Sequence, residues 1–176
     1  MQQTLLAICA LLVFSLYALS RHRADAENER EAMGGEVDLL VTEQARTLMS
    51  RVTALAYDEA DIGATIPRTD PDGLTNPLGP ETGETVETAY DDADDWNGYT
   101  ATLTRQWDTG SSSSATAIAL TASVAVRYVQ PTNPTNASTS PTLAKEVVVM
   151  IVEAGTPQGR RAARATLQQV ITPAMR

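Results

Sequence analysis

The first third of the chain carries two hydrophobic patterns, and both are typical of a helix. Residues 5–19 (LLAICALLVFSLYAL) contain no charge and one polar residue, Ser15. From Arg21 onward charged residues appear, and apolar residues then recur every three or four positions. A helix that is apolar all round and then apolar along one stripe lies in two environments. We therefore predict one long helix over about residues 1–57, made of an apolar half (1–22) and an amphipathic half (23–57).

The amphipathic half carries one apolar stripe, which we assign to packing against a β-sheet of the same chain. The stripe consists of Met33, Val37, Leu40, Val41, Ala45, Leu48, Val52, Leu55 and Ala56. Gly34 and Gly35 lie inside this helix, where each glycine costs about 1 kcal/mol relative to alanine. They are either a tolerated weak point or a hinge at which the helix kinks or melts on assembly.

The apolar half is long enough to span a bilayer. Twenty helical residues extend about 30 Å, the thickness of a hydrocarbon core. Three interpretations remain open: a cleavable signal, a signal-anchor, or a segment whose basic leader has been removed. Arg21, His22 and Arg23 follow the apolar run and favour the cytoplasmic side. If most of the chain lies outside, an earlier leader is expected to have set the orientation.

Residues 58–98 are predicted to form a long irregular region, because prolines and turn signals recur along it. Pro67, Pro71, Pro77 and Pro80 interrupt regular structure, and Asp72-Gly73 indicates a turn. Residues 58–95 contain 12 acidic side chains and a single basic one, Arg68. Irregular loops of this length are usually functional or partly disordered.

Residues 99–176 have the alternating pattern of an antiparallel β domain. Strands are predicted at Tyr99–Trp107, Ala117–Val129 and Glu146–Glu153, the last of which is apolar on both faces and therefore central. The segment Gly110–Ser114 is predicted as a flexible turn and Gln130–Thr142 as a loop. Residues 160–173 fit either a helix or a final strand. The expected fold class is α+β, with the long helix packed through its second half on a small antiparallel sheet of three or four strands.

Composition excludes several classes of function. The net charge of −9 argues against nucleic-acid binding, which requires basic surface. The only cysteine, Cys9, and the only histidine, His22, both lie outside the β domain, so we expect no disulfide, no Cys/His metal site and no cofactor. Cys9 is interpreted as an apolar packing residue, with lipidation as the alternative. No nucleophile or phosphate-binding motif is present, and we expect no enzymatic activity.

Two local motifs have a functional interpretation beside a plain one. Asp91, Asp92, Asp94 and Asp95 are calcium candidates because hard cations prefer carboxylate oxygens, although the spacing is not that of an EF-hand. The default interpretation of these four residues is a solvated acidic loop. Asn136 begins the glycosylation sequon Asn-Ala-Ser in a polar segment.

Three stretches together resemble the type IV pilins and the related pseudopilins. They are MQQTLLAICALLVFSLYALS at the N-terminus, ALAYDEA at residues 54–60 and DDADDWNGY at residues 91–99. The layout of apolar helix, amphipathic helix, loop and short antiparallel sheet is similar as well. One position departs from the family, which usually has Glu at the fifth mature residue where this chain has Leu5.

The resemblance implies a structural subunit of an extracellular filament. The expected assembly residues are Leu5, Leu6, Ile8, Leu11, Leu12, Val13, Phe14 and Leu16. The implied partners are identical subunits in a helical homopolymer, the inner membrane before assembly, and a prepilin peptidase with its pilus assembly machinery. The resemblance also favours a strand at residues 160–173. Alternatives are a minor pseudopilin or membrane-anchored accessory of a secretion machine, which Leu5 favours, and a signal-anchored surface binding domain.

Overall fold

The computed structural model describes residues 2–107, 116–155 and 161–174, and it confirms the predicted α+β class. The elements are helix α1 (Gln2–Thr53), a 3₁₀ turn (Glu59–Asp61) and strands β1 (Thr100–Trp107), β2 (Thr116–Gln130), β3 (Asn133–Ala137), β4 (Lys145–Glu153) and β5 (Arg164–Ile171). The predicted turn at Gly110–Ser114 lies outside the described residues.

The sheet is antiparallel throughout, with β1, β2, β4 and β5 side by side in that order. The doubly apolar strand β4 lies between β2 and β5, which confirms its predicted central place. The tail forms β5, so the strand favoured for residues 160–173 is confirmed for Arg164–Ile171.

Strand β3 adds a fifth strand where only a loop was predicted. It pairs with the end of β2 through Gln130↔Asn133 and Val129↔Ala137. All its residues are exposed, so it lacks the apolar alternation by which a half-buried strand is recognised. Pro134 is compatible with this position, because an edge strand does not need every backbone N–H for pairing.

Residues 38–53 of α1 lie over the sheet. Val41, Ala45 and Val52 have no exposed surface. The guanidinium of Arg105 in β1 donates two hydrogen bonds to Oε1 of Gln44, at 3.1 Å from Nε and 2.6 Å from Nη2. Each large apolar side chain buried in this layer stabilises the fold by about 1.5–3 kcal/mol.

Helix α1 ends at Thr53, slightly before the predicted Tyr57. The backbone N–H groups of Ala54 and Leu55 donate hydrogen bonds of 3.3 and 3.2 Å to the carbonyls three residues earlier, as in a 3₁₀ turn. Ala56 then forms a parallel bridge with Asp92, accepting from the N–H of Ala93 at 2.9 Å. The backbone of Ala56 thus pairs with the acidic loop instead of continuing the helix.

The acidic loop, residues 58–95, has one short 3₁₀ turn and is otherwise irregular among the described residues. It is nevertheless anchored. Leu74 is buried in a cluster with Tyr57 and Tyr128, and Leu78 packs against that cluster. The loop thus covers one end of the sheet.

Residues 2–37 form a separate unit that consists of helix alone. Its helical conformation continues without a break through Gly34 and Gly35. A methyl group at either glycine would meet no heavy atom within 4 Å. Neither glycine is therefore required for close packing within this chain, and a hinge on assembly stays a prediction.

Candidate functional site

Within the N-terminal unit, residues 6–16 present an apolar surface that a single polar residue, Ser15, interrupts. Seven of the eight predicted assembly residues have exposed side chains: Leu6, Ile8, Leu11, Leu12, Val13, Phe14 and Leu16, each with 57–69% of its surface accessible. The side chain of Leu5 lies outside the described residues. Cys9 is also exposed on this helix.

By length and composition, α1 is able to cross a membrane. Its most apolar stretch of 18 residues has a mean hydropathy of 2.0, and none of that stretch is buried. Soluble proteins rarely leave so large an apolar surface in water.

The second candidate site is a buried ion cluster centred on Lys145, the first residue of β4. The ammonium group of Lys145 donates to the carbonyl of Tyr57 at 2.6 Å, to Oδ2 of Asp58 at 3.0 Å and to Oδ1 of Asp94 at 2.5 Å. All three side chains of the ion pairs have no exposed surface. Because a lysine ammonium has three donors, every one of them is satisfied.

Two tyrosines enclose the ammonium group. Its nitrogen lies 4.5 Å from the ring centroid of Tyr57 and 5.4 Å from that of Tyr128, within cation–π range. The hydroxyl of Tyr57 donates to the carbonyl of Thr142, and that of Tyr128 donates to the carbonyl of Thr75. The cluster therefore joins the end of α1, the acidic loop and two strands.

The four predicted calcium candidates do not form a single solvated group. Asp91 is exposed, whereas Asp92, Asp94 and Asp95 are fully buried, so the solvated interpretation is wrong for these three. Oδ1 of Asp92 accepts from the N–H groups of Asp94 and Asp95, and Oδ2 of Asp95 accepts from those of Asp91 and Asp92. The aspartates are buried because they satisfy the backbone of the turn that leads into Trp96.

Burial raises the pKa values of several acids and tyrosines in this region. Desolvation, together with the charges of Asp94 and Asp95, raises the pKa of Asp92 to about 8. Desolvation also raises the pKa of Asp94, although the nearby Lys145 opposes that rise. The tyrosine pKa values of Tyr57 and Tyr128 are raised as well, first by desolvation and then by neighbouring charges.

A further set of carboxylates meets beside this turn. Glu81, Glu84 and Asp95 each place one oxygen within 4.8 Å of the others, and so do Glu59, Glu84 and Asp91. Of the four aspartates predicted as calcium ligands, only Asp95 and Asp91 belong to such a group. Asp92 and Asp94 are used in the turn and in the ion pair with Lys145.

Sequence reasoning missed Lys145, although one signal marks it. Lys145 is the only lysine in the chain, beside twelve arginines, and it directly precedes the most apolar strand. Buried lysine is rare unless it is paired. A single lysine at the start of a central strand therefore indicates an acidic partner inside the fold.

The predicted glycosylation residue Asn136 lies in β3 with its side chain exposed. The sequon Asn136–Ser138 is thus accessible on an outer strand. Its modification stays a prediction.

Comparison of the chain with protein-family models, with characterised proteins and with solved structures finds no match. The two sites and the sequence are therefore the basis for a proposed function. The buried ion cluster has a structural role in the β domain, whereas the exposed apolar helix has none there.

Proposed function

We propose that this protein is the structural subunit of an extracellular filament of the type IV pilus kind and polymerises through its N-terminal helix. The observation that carries the proposal is the apolar surface of residues 6–16, whose large side chains are more than half exposed although the described residues from Asp38 onward fold around a core of their own. A long helix packed on an antiparallel sheet is compatible with that role.

The physical basis is the free-energy cost of leaving this surface in water, which lipid or neighbouring helices avoid by covering it. Seven large apolar side chains, at about 1.5–3 kcal/mol each, correspond to roughly 10–20 kcal/mol per subunit. In the proposed mechanism the helix is first held in the inner membrane and, after processing by a prepilin peptidase, passes directly into a central bundle of identical helices. The segment remains shielded from water at every stage, and the β domain faces outward at the cell surface.

A second candidate is a minor pseudopilin or membrane-anchored accessory that caps or recruits instead of polymerising. Leu5 favours it, because the acidic residue that pairs with a neighbouring N-terminus in the resembling family is replaced by an apolar one. A third is a signal-anchored surface binding domain that never assembles. In all three the protein is a non-enzymatic, membrane-derived component.

The test is to shear cells and to examine the supernatant by electron microscopy, with mass spectrometry of the N-terminus of the filament protein. Thin filaments built mainly of this chain support the first proposal. A processed chain present only in traces supports the accessory role. An unprocessed chain confined to the membrane fraction supports the anchored binding domain.

A further inference from the structure

The carboxylates of Glu81, Glu84 and Asp95 are brought together by two turns of the acidic loop. Residues 81–84 form one turn, in which the N–H of Glu84 bonds to the carbonyl of Glu81 and the N–H of Glu81 bonds to Oε2 of Glu84. Asp95 comes from the second turn. One carboxylate oxygen from each residue lies within 4.8 Å of the other two.

Two oxygens of this group are buried and have no hydrogen-bond donor. Asp95 has no exposed surface, and its Oδ2 accepts two backbone N–H groups at 3.0 and 3.2 Å, whereas its Oδ1 has no partner. Oε2 of Glu81 is also buried without a partner. A buried carboxylate oxygen that lacks a donor carries an unfavourable desolvation free energy, which a proton or a cation relieves.

The nearby basic side chains are engaged elsewhere. Arg68 pairs with Asp61 at 2.8 Å, and Arg51 pairs with Glu87. The ammonium of Lys145 is saturated by Tyr57, Asp58 and Asp94. Desolvation, and then the close approach of Asp95 and Glu84, raise the pKa of Glu81 to about 7, because burial and neighbouring carboxyl groups both disfavour its charged form.

We propose that Glu81, Glu84 and Asp95 bind one Ca²⁺ ion, which joins the two turns of the acidic loop. Ca²⁺ takes carboxylate oxygens at about 2.3–2.6 Å in irregular arrangements, so oxygens up to roughly 5 Å apart share one ion. Mg²⁺ fits less well because it requires near-ideal octahedral geometry and retains its waters. The ion offsets the repulsion between three carboxylates and fixes the loop beside Trp96. This site does not depend on whether the chain polymerises.

The experiment uses the full chain in detergent micelles, stripped of metal with a chelator and titrated with CaCl₂ by calorimetry. The wild type is expected to bind one ion per chain with a dissociation constant of about 0.1–1 mM, the range of extracellular calcium modules, and to unfold at a higher temperature with Ca²⁺. Mg²⁺ at the same concentration should raise the unfolding temperature less.

The decisive variants are Glu84→Gln and Glu81→Gln, each expected to weaken Ca²⁺ binding at least about tenfold. In chelator, both should be at least as stable as the wild type, because each removes one of the repelling charges. Asp70→Asn, an exposed change of the same charge in the same loop, and Glu59→Gln, next to the trio, should keep the wild-type affinity.

Two results would overturn the proposal. One is the absence of saturable Ca²⁺ binding, or a response that Mg²⁺ or monovalent salt reproduces equally, which indicates general screening of an acidic loop. The other is an equal loss of affinity in Asp70→Asn or Glu59→Gln, which indicates that these three carboxylates are not the ligands. If Glu84→Gln does not fold, the comparison of Glu81→Gln with Asp70→Asn decides.

Discussion

The apolar segment 6–16 and the acidic segment 91–96 invert the usual distribution of side chains. Large apolar residues of the first are more than half exposed, whereas three aspartates of the second have no exposed surface. Most buried polar groups in proteins are satisfied by hydrogen bonds or counter-charges. Asp92 and Asp95 accept hydrogen bonds from backbone N–H groups, and Asp94 pairs with Lys145. Most of the surface of the large apolar side chains in the helix is left uncovered by the described residues.

The largest effect on stability is expected at Lys145. Replacing Lys145 with Met leaves the carboxylates of Asp58 and Asp94 buried without their cation, and we expect a loss of about 3–5 kcal/mol in the free energy of unfolding. Denaturant unfolding of the full chain, followed by tryptophan fluorescence, to which the buried Trp96 contributes, measures the loss.

Two controls separate charge from packing. Arg46→Met removes an exposed cation from helix α1 and should alter the free energy of unfolding by less than about 0.5 kcal/mol. The triple variant K145M/D58N/D94N removes both carboxylate charges as well and should recover part of the loss. If K145M is as stable as the wild type, the buried ion cluster does not hold the loop to the sheet.

The next effect concerns the apolar segment. Leu11→Lys places a charge in the middle of the exposed apolar helix, at a cost of about 2.5–3.5 kcal/mol for insertion at the centre of a membrane-spanning segment. We expect less of this variant in the membrane fraction and no filaments, while the β domain keeps its unfolding temperature. Fractionation and thermal unfolding measure the two quantities.

Leu39→Lys is the matched control for this substitution. Leu39 is as exposed as Leu11, at 69% against 66%, but it belongs to the charged half of α1. It should leave membrane retention unchanged. Equal behaviour of the two variants would show that exposed leucines in the two halves are equivalent, and the functional distinction between the halves would fail.

A smaller effect is expected at Tyr99, whose hydroxyl donates to Oε2 of Glu87 at 2.6 Å. Burial, and then this contact with Glu87, raises the tyrosine pKa to about 12 from 10.0. The hydrogen bond therefore stabilises the fold fully below pH 10 and is lost as the pH rises from about 10 to about 12. Tyr99→Phe should cost about 1.5 kcal/mol at pH 7.

The pH dependence distinguishes this bond from simple packing. In urea unfolding, the difference between the wild type and Tyr99→Phe should shrink as the pH rises above 10. Tyr17→Phe, at an exposed position of the apolar helix, should show neither effect. A difference that stays constant with pH would mean that the hydroxyl contributes packing but no proton-linked hydrogen bond.

These regions also show how far the sequence predicts the structure. Strand β2 is predictable because Leu120, Ala122 and Val124 point to the core while alternate residues do not. Strand β3 is not, since its pairing uses backbone groups and leaves no side chain buried. The apolar helix is predictable from its composition, because a continuous apolar run is recognised without knowledge of the rest of the fold.

The buried acidic turn could not be predicted from local composition. A run of aspartates is usually solvated, and only the tertiary positions of Lys145 and of the backbone N–H groups make burial favourable. Trp96 and Ala93 within the same run are local signs of burial. They do not identify Lys145 as the partner of Asp94, because the two residues are 51 positions apart in the sequence.

The smallest effect is expected at Gly34, where the helix conformation is regular and a methyl group meets no atom within 4 Å. Gly34→Ala should stabilise the local helix by up to about 1 kcal/mol and slow amide hydrogen exchange of the surrounding turns by up to about fivefold. Ala32→Gly, the reverse change two residues away, should accelerate exchange by a similar factor. If Gly34→Ala folds normally but yields fewer filaments, bending at the glycines is part of assembly. An unchanged filament yield, together with slower exchange, would make Gly34 a tolerated weak point and nothing more.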